Sequence, residues 1–431
     1  MIIVDSALKA REAEGRPIRV GLIGAGFMGR GLANQIVNSV PGMSLCAISN
    51  RTLSNAQRAF ADADVKDVRT VTRPSDLESA IERGRAVVCE DPDLLCGAGN
   101  LDALVDATGA VEFGARVALK AIESGKHLIS MNAELDGTVG PILQQYARRQ
   151  GVIFTGCDGD QPGVQLNLFR FVKGMGLTPL VCGNIKGLHD VHRNPTTQRG
   201  FAERWGQNVH MVTSFADGTK ISFEQAIVAN ATGMTVTQRG MKGRDFEGHV
   251  DELTTFYDVE ELVEIGGVVD YVVKTRPPGG VFVLAAHDDP KQRHYLDLYK
   301  RGEGPLYAFY TPYHLCHFEV PASIARAVLF SDPVIVALDG PRVDVVATAK
   351  VDLTVGDEID CLGGYKTYGV AEKYEISRKE NLLPMGLAEG CKLARAVERD
   401  RVLTYDDVIV PQDRVCDRLR SEQDERFAIS R

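Results

Sequence analysis

The chain has 431 residues, 44% hydrophobic and 25% charged, which provides for a large core divided among two or three domains. A net charge of −9 without any basic block argues against nucleic acid and against an anionic membrane surface as partners. No apolar run approaches the roughly 18 residues that span a bilayer, and Asp5, Glu12 and Glu14 interrupt the region where a secretory signal would be apolar, so the cytoplasm is the expected compartment.

In chain order, Ser6 is expected to cap a first helix over Ala7 to Glu14. Ile18 to Ile23 then forms an apolar, β-branched run that meets Gly24, Gly26 and Gly29 at the spacing G-x-G-x-x-G. A helical pattern follows through Leu32, Ile36 and Val40. Strand, tight turn and helix in that order are the context a dinucleotide fingerprint requires. Gly24 allows the sharp turn, Gly26 lets the backbone approach a pyrophosphate, and Gly29 lets the helix pack on its strand. Phe27 and Met28 would present helix N-terminal amides to the phosphates.

The second strand, Met43 to Ser49, ends in Asn50-Arg51. An acid near this point would accept the ribose hydroxyls of NAD(H); here there is none, and Arg51 favours the 2′-phosphate of NADP(H). Arg51 also reads as the solvated residue before a helix over Asn55 to Ala61 capped by Ser54. A helix is expected over Pro74 to Arg83, a strand over Leu101 to Asp106, a helix over Glu112 to Ser124 and a strand over His127 to Met131. Thr108 and Gly109, then Asn132 and Glu134, follow two of these strand ends and are candidate cofactor contacts. Asn132 or Asp136 also reads as the cap of a helix over Gly137 to Gln150. Val152 to Thr155 completes a doubly wound α/β Rossmann domain over residues 1–155.

A middle α+β substrate domain is expected over 156–340. It opens on a glycine-rich turn bearing Asp158 and Asp160 before a helix over Val164 to Lys173. The strand Leu180 to Lys186 leads into a polar loop with His189, His192 and Arg193. Val209 to Phe215 and Lys220 to Val228, joined at Asp217-Gly218, read as a hairpin running into Asn230. Further strands are expected over Gly266 to Lys274, Val281 to Ala286 and near Tyr307. Short strand segments from Arg342 onward suggest a small β-rich third domain over 341–431. Nine cysteines, odd in number and without C-x-x-C spacing, read as buried thiols.

A nicotinamide carries the hydride, and a buried cation beside the substrate would stabilise the charge that grows on a carbonyl oxygen. Lys186 is the candidate for that role and for donating the proton; the alternative is a surface lysine at a strand end. Asp158 and Asp160 are candidates for binding substrate hydroxyls, orienting Lys186 or holding a divalent metal, although two acids alone do not define a metal site, and they also read as helix caps. His189, His192 and Arg193 would meet a phosphate or carboxylate and Asn230 a hydroxyl, against the alternative of an ordinary solvated loop.

Several of these segments together resemble the homoserine-dehydrogenase-like family that includes the second class of deoxyxylulose-phosphate reductoisomerases. The likeness is carried by Glu14 to Gly26, Val105 to Gly109, Gly125 to Leu128, Ala229 to Gly233, Pro278 to Val283 and Pro312 to Leu315. The tail resembles a SAF domain through Lys350 to Ile359 and Glu398 to Val408. The resemblance implies an NAD(P)-dependent oxidoreductase acting on a small polyol or sugar-derived substrate, either as a reductoisomerase or as a plain dehydrogenase. A non-catalytic NADP(H)-binding sensor is the third reading. It also implies a homo-oligomer, with the tail as lid or oligomer contact. Asp158 to Gln161 and His189 to Asn194 depart from the family pattern, which points to a different substrate.

Overall fold

The computed structural model describes residues 2–428, which divide into two compact units. Of the described residues, the first comprises 2–160, 315–336 and 415–423, and the second comprises 161–314, 337–414 and 424–428.

The first unit alternates helices and strands: α1 (Ile2–Ala13), β1 (Ile18–Ile23), α2 (Phe27–Ser39), β2 (Met43–Ser49), α3 (Leu53–Asp62), β3 (Val68–Thr70) and α4 (Pro74–Glu82). It continues with β4 (Ala86–Cys89), α5 (Asp93–Gly97), β5 (Ala103–Asp106), α6 (Val111–Glu123), β6 (His127–Ser130), α7 (Ala133–Gln150) and β7 (Phe154–Gly156). All seven strands are parallel, in the order β3-β4-β2-β1-β5-β6-β7. The fold is α/β and doubly wound, as expected. Strand order reverses at β1, so a crevice opens between the carboxyl ends of β1 and β5, where such sheets bind ligands. The strands read as continuous apolar runs because helices cover both faces of a parallel sheet. The helix Val320–Phe330 adds Val320, Ile324, Ala325 and Ala327 to this core.

Two caps differ from expectation, and of the two offered for α7 Asn132 is the one used. Helix α1 begins before Ser6, which lies inside it. Thr52, not Ser54, precedes α3, and neither caps through its side chain. Asn132 caps α7, its Oδ1 accepting the Leu135 N–H at 3.1 Å, and Asp136 is buried inside that helix rather than at its start.

The second unit opens with α8 (Gln161–Gly174), β8 (Thr178–Lys186), α9 (Pro195–Trp205), α10 (Val209–Ala216) and α11 (Thr219–Thr232). There follow β9 (Arg244–Asp245), α12 (Val259–Ile265), β10 (Val268–Val273), β11 (Gly280–Ala286), α13 (Pro290–Leu298) and β12 (Leu306–Thr311). The sheet order is β12-β11-β8-β10-β9, with β8 parallel to β10 and antiparallel to β11. The hairpin expected over Val209 to Val228 is instead the helix pair α10 and α11. Helix α11 is covered both by the sheet and by the antiparallel pair β13 (Val343–Ala349) and β14 (Thr367–Lys373). With Thr219 to Ala231 all buried, α11 shows no polar face, and helical periodicity is lost from its sequence.

That packing bears on the tail. Residues 337–414 group with 161–314, and β13 and β14 cover α11. Lys350 donates to Asp217 Oδ2 at 2.8 Å with side chains 2% and 0% exposed, and the Gly369 N–H donates to Thr219 Oγ1 at 2.9 Å. Beyond β14 the tail holds short pieces, including Lys392–Leu393 paired with Val408–Ile409, and ends in the helix Val415–Arg426. No helix of the described residues is long and apolar enough to cross a membrane.

Candidate functional site

The glycine turn sits at the carboxyl end of β1. Gly24 has φ +100°, and a Cβ there would lie 2.9 Å from the Ala107 carbonyl oxygen, so only glycine fits between β1 and the segment after β5. A Cβ at Gly29 would collide with the Gly24 carbonyl, whereas one at Gly26 would meet nothing within 4 Å. Two glycines are therefore demanded by packing, and the exposed Gly26 leaves open space. Helix α2 starts immediately after, with no side chain capping it, so the amides of Phe27, Met28 and Gly29 remain for an anion. This donor set and open backbone fit a dinucleotide pyrophosphate.

Around the turn, Asn50 Oδ1 accepts the Ala25 N–H at 3.0 Å and its amide donates to the Thr52 carbonyl at 2.8 Å, which shapes the turn's second wall. Arg51 beside it is exposed. Thr108 is tied to Asp106, its hydroxyl donating to Oδ1 at 2.6 Å, and Gly109 takes φ +71°. Burial pushes the Asp106 carboxyl up while hydrogen bonds from Thr108 and Asn132 pull it down. Asn132 donates to Asp106 Oδ2 at 3.3 Å and to the Ala110 carbonyl at 3.0 Å while capping α7. Its polar atoms serve the fold. Glu134 is buried in the first turn of α7.

The two acids of the glycine-rich turn part company. Asp158 is buried against Arg326 Nη1 at 2.9 Å and accepts the Ser323 hydroxyl at 2.9 Å. A carboxylate committed in this way holds the fold of the first unit. Asp160 closes that unit's first segment and is half-buried.

In the second unit, Lys186 ends β8 and donates to Gln161 Oε1 and, at 3.0 Å, to Glu224 Oε2. The Glu224 side chain is 2% exposed and that of Lys186 16%. His189 stacks on Tyr271 with centroids 4.8 Å apart, and burial pulls its pKa down, with Lys186 nearby adding to the effect and Asp217 and Asp190 opposing it. The ring is therefore a neutral hydrogen-bond partner at pH 7. His192 turns elsewhere: its Nε2 lies 2.9 Å from Asp400 Oδ1, and this hydrogen bond holds the Asp400 carboxyl below its ordinary range. Arg193 pairs with Asp190 at 3.0 Å. Asn230 Oδ1 accepts the backbone N–H groups of Arg342 and Val343 at 2.6 and 3.0 Å, so it braces the start of β13. Of the loop candidates, His189 is the one whose surroundings include Lys186, Asp190 and Asp217.

Sequence reasoning missed Gln161, Gln165, Asn184, Glu224 and Gln225, all buried polar residues in one network, and Lys220, buried one helical turn before Glu224. The spacing of Lys220 and Glu224 would have placed a lysine and an acid on one face, had the segment been read as a helix.

Residues 159–320 match the family described as "Oxidoreductase DRL, catalytic domain". Inositol 2-dehydrogenase 4 of Saccharopolyspora erythraea is 36% identical over 97 residues, covering 18% of this chain and 29% of that protein. Homoserine dehydrogenase of Neisseria gonorrhoeae is 27% identical over 139 residues, covering 32% and 28% respectively. The chain thus spans less than a third of the length of either relative. Among solved structures, scyllo-inositol dehydrogenase from Lactobacillus casei with NAD(H) and scyllo-inositol shares 15% identity over 63% of this chain and 66% of that one, at a TM-score of 0.32. Biliverdin reductase from Synechocystis with biliverdin and NADP+ shares 17% over 52% and 60%, at 0.31.

Proposed function

We propose that the chain is an NAD(P)-dependent oxidoreductase that acts on a CH–OH or carbonyl group of a small polyhydroxylated substrate. The observation that carries this reading is the match of residues 159–320 to an oxidoreductase catalytic domain, in a chain whose first sheet ends in a glycine turn fit for a pyrophosphate. The inositol and homoserine dehydrogenases named above support dehydrogenation of a hydroxyl-bearing substrate. Gly24, Gly26, Phe27, Met28 and Gly29 would hold the pyrophosphate, with Arg51 at the adenosine ribose selecting NADP(H).

When bound, the nicotinamide supplies or takes the hydride. Lys186 donates a proton to the substrate oxygen in the reductive direction and polarises it as charge grows. His189, neutral and stacked on Tyr271, offers a hydrogen bond to a substrate hydroxyl. Asp160 is a candidate for a further hydroxyl.

Rearrangement of a hydroxy-ketone before reduction is the second reading, which rests on the resemblance of segments such as Ala229 to Gly233 and Pro278 to Val283 to the reductoisomerases. The test is turnover by the purified chain with NADP+ and NAD+ against myo-inositol, scyllo-inositol and homoserine, and with NADPH against deoxyxylulose phosphate. Product carbon connectivity by NMR separates reduction from rearrangement. Tight cofactor binding without turnover on any of these substrates would sink the catalytic reading.

A further inference from the structure

The Lys186 ammonium carries three N–H donors. Two are spent within the second unit, on Gln161 Oε1 and on Glu224 Oε2. The carboxylate that receives one of them is itself fixed. Glu224 Oε2 also accepts Asn184 Nδ2 at 2.7 Å, and Asn184 Oδ1 accepts Gln165 Nε2 at 2.6 Å. That same Nε2 reaches Gln225 Oε1 at 2.9 Å, and Gln225 Nε2 is anchored on the carbonyl oxygens of Cys182 and Asp270 at 3.0 and 2.5 Å. Polar groups at this depth are costly unless connected, and a connected set is rigid. The chain of bonds therefore runs from the sheet backbone to one carboxylate oxygen, and from there to the only partly exposed end of the network, Lys186.

We propose that Glu224, assisted by Gln161, is the positioning residue that aims the third N–H of Lys186 at the reacting oxygen of the substrate. The proposal rests on the oxidoreductase reading above. In the reductive direction a dihydronicotinamide would give hydride to the carbonyl carbon and be oxidised to the nicotinamide, the π electron pair of the C=O bond would move onto oxygen, and that oxygen would take a proton from the Lys186 ammonium; the amine left behind would regain its proton from solvent. With two donors held, the ammonium loses little further freedom when the substrate arrives, and its orientation is set before binding. Glu224 touches no substrate in this scheme.

The test uses the full chain as wild type, Glu224→Gln and Glu224→Asp. Each is treated with trinitrobenzenesulfonate at mildly alkaline pH, and modified lysines are located by peptide mass spectrometry. Lys350, paired with buried Asp217, is the internal reference. Loss of the carboxylate should speed modification of Lys186 about fivefold or more in Glu224→Gln with Lys350 unchanged, and Glu224→Asp should return toward wild type. Equal Lys186 rates, or a parallel rise at Lys350, would overturn the proposal. On any substrate found by the turnover screen, Glu224→Gln should lower kcat about tenfold or more with KM changed less than about threefold; unchanged kcat would also overturn it. Wild-type chain that turns over nothing while Lys186 reactivity still depends on Glu224 would place the failure in the oxidoreductase reading instead.

Discussion

Asp158 and Arg326 form a buried ion pair, Oδ1 to Nη1 2.9 Å, with both side chains 3% exposed. The Ser323 hydroxyl donates to Asp158 Oδ2 and accepts the Asp158 N–H at 2.7 Å, and Arg326 also holds Asp332 at 2.8 Å. The pair locks the segment after β7 to the helix Val320–Phe330. Removing Asp158 leaves Arg326 paired with Asp332 but takes away its fully buried partner, so Asp158→Ala should cost about 2–3 kcal/mol of stability, read as a lowered Tm. Asp158→Ala combined with Arg326→Met should recover part of that loss. A variant with unchanged Tm and abolished turnover would return Asp158 to the chemistry.

The glycine turn separates folding from binding at neighbouring positions. Gly29→Ala forces a methyl into the Gly24 carbonyl, so it should destabilise the first unit. Gly26→Ala meets no protein atom within 4 Å and has an ordinary φ of −73°, so Tm should stay within about 1 °C of wild type. Yet its methyl occupies the approach of the pyrophosphate, and NADPH affinity should fall about tenfold or more, measured by fluorescence titration. Full NADPH affinity in Gly26→Ala would remove the turn from cofactor binding.

Arg51 is exposed next to Asn50, whose side chain is fixed on the turn. Arg51→Ala should raise the Kd for NADPH at least about tenfold, or ~1.4 kcal/mol, and leave NADH little changed. Equal effects on both cofactors would reject the 2′-phosphate role.

The parallel sheet was legible in the residues because a strand buried on both faces is written as an apolar run, and Ile18 to Ile23 followed by three spaced glycines announces both the strand and its turn. Helix α11 was not legible. Buried on every side, it offered no 3.6-residue alternation, and Val212, Ile221, Phe223 and Ile227 passed for a hairpin. Lys186 was visible as a cation at a strand end, but Glu224 and the amides behind it acquire meaning only from partners distant in sequence, at residues 161, 165 and 184. Asn230 shows the converse: a polar residue in a suggestive motif whose oxygen is spent on two backbone amides of β13.

Asp136 gives a pH dependence that needs no substrate. It lies inside α7, fully buried; its Oδ2 has no hydrogen-bond partner among the described residues, and burial pushes its carboxyl up to about 7. The unfolded chain ionises the same group near pH ~4. Between those values the folded state keeps a proton that the unfolded state has lost, so stability falls as pH rises through the window, and the loss is complete above pH ~7. Asp136→Asn removes the ionisation while keeping the shape. It should match wild type near pH ~4 and exceed it above pH ~7, by roughly 3–4 kcal/mol at most. Thermal unfolding of both proteins across that range measures the difference directly. A Tm gap that does not widen with pH would show that the Asp136 carboxylate is stabilised by a partner in the folded protein.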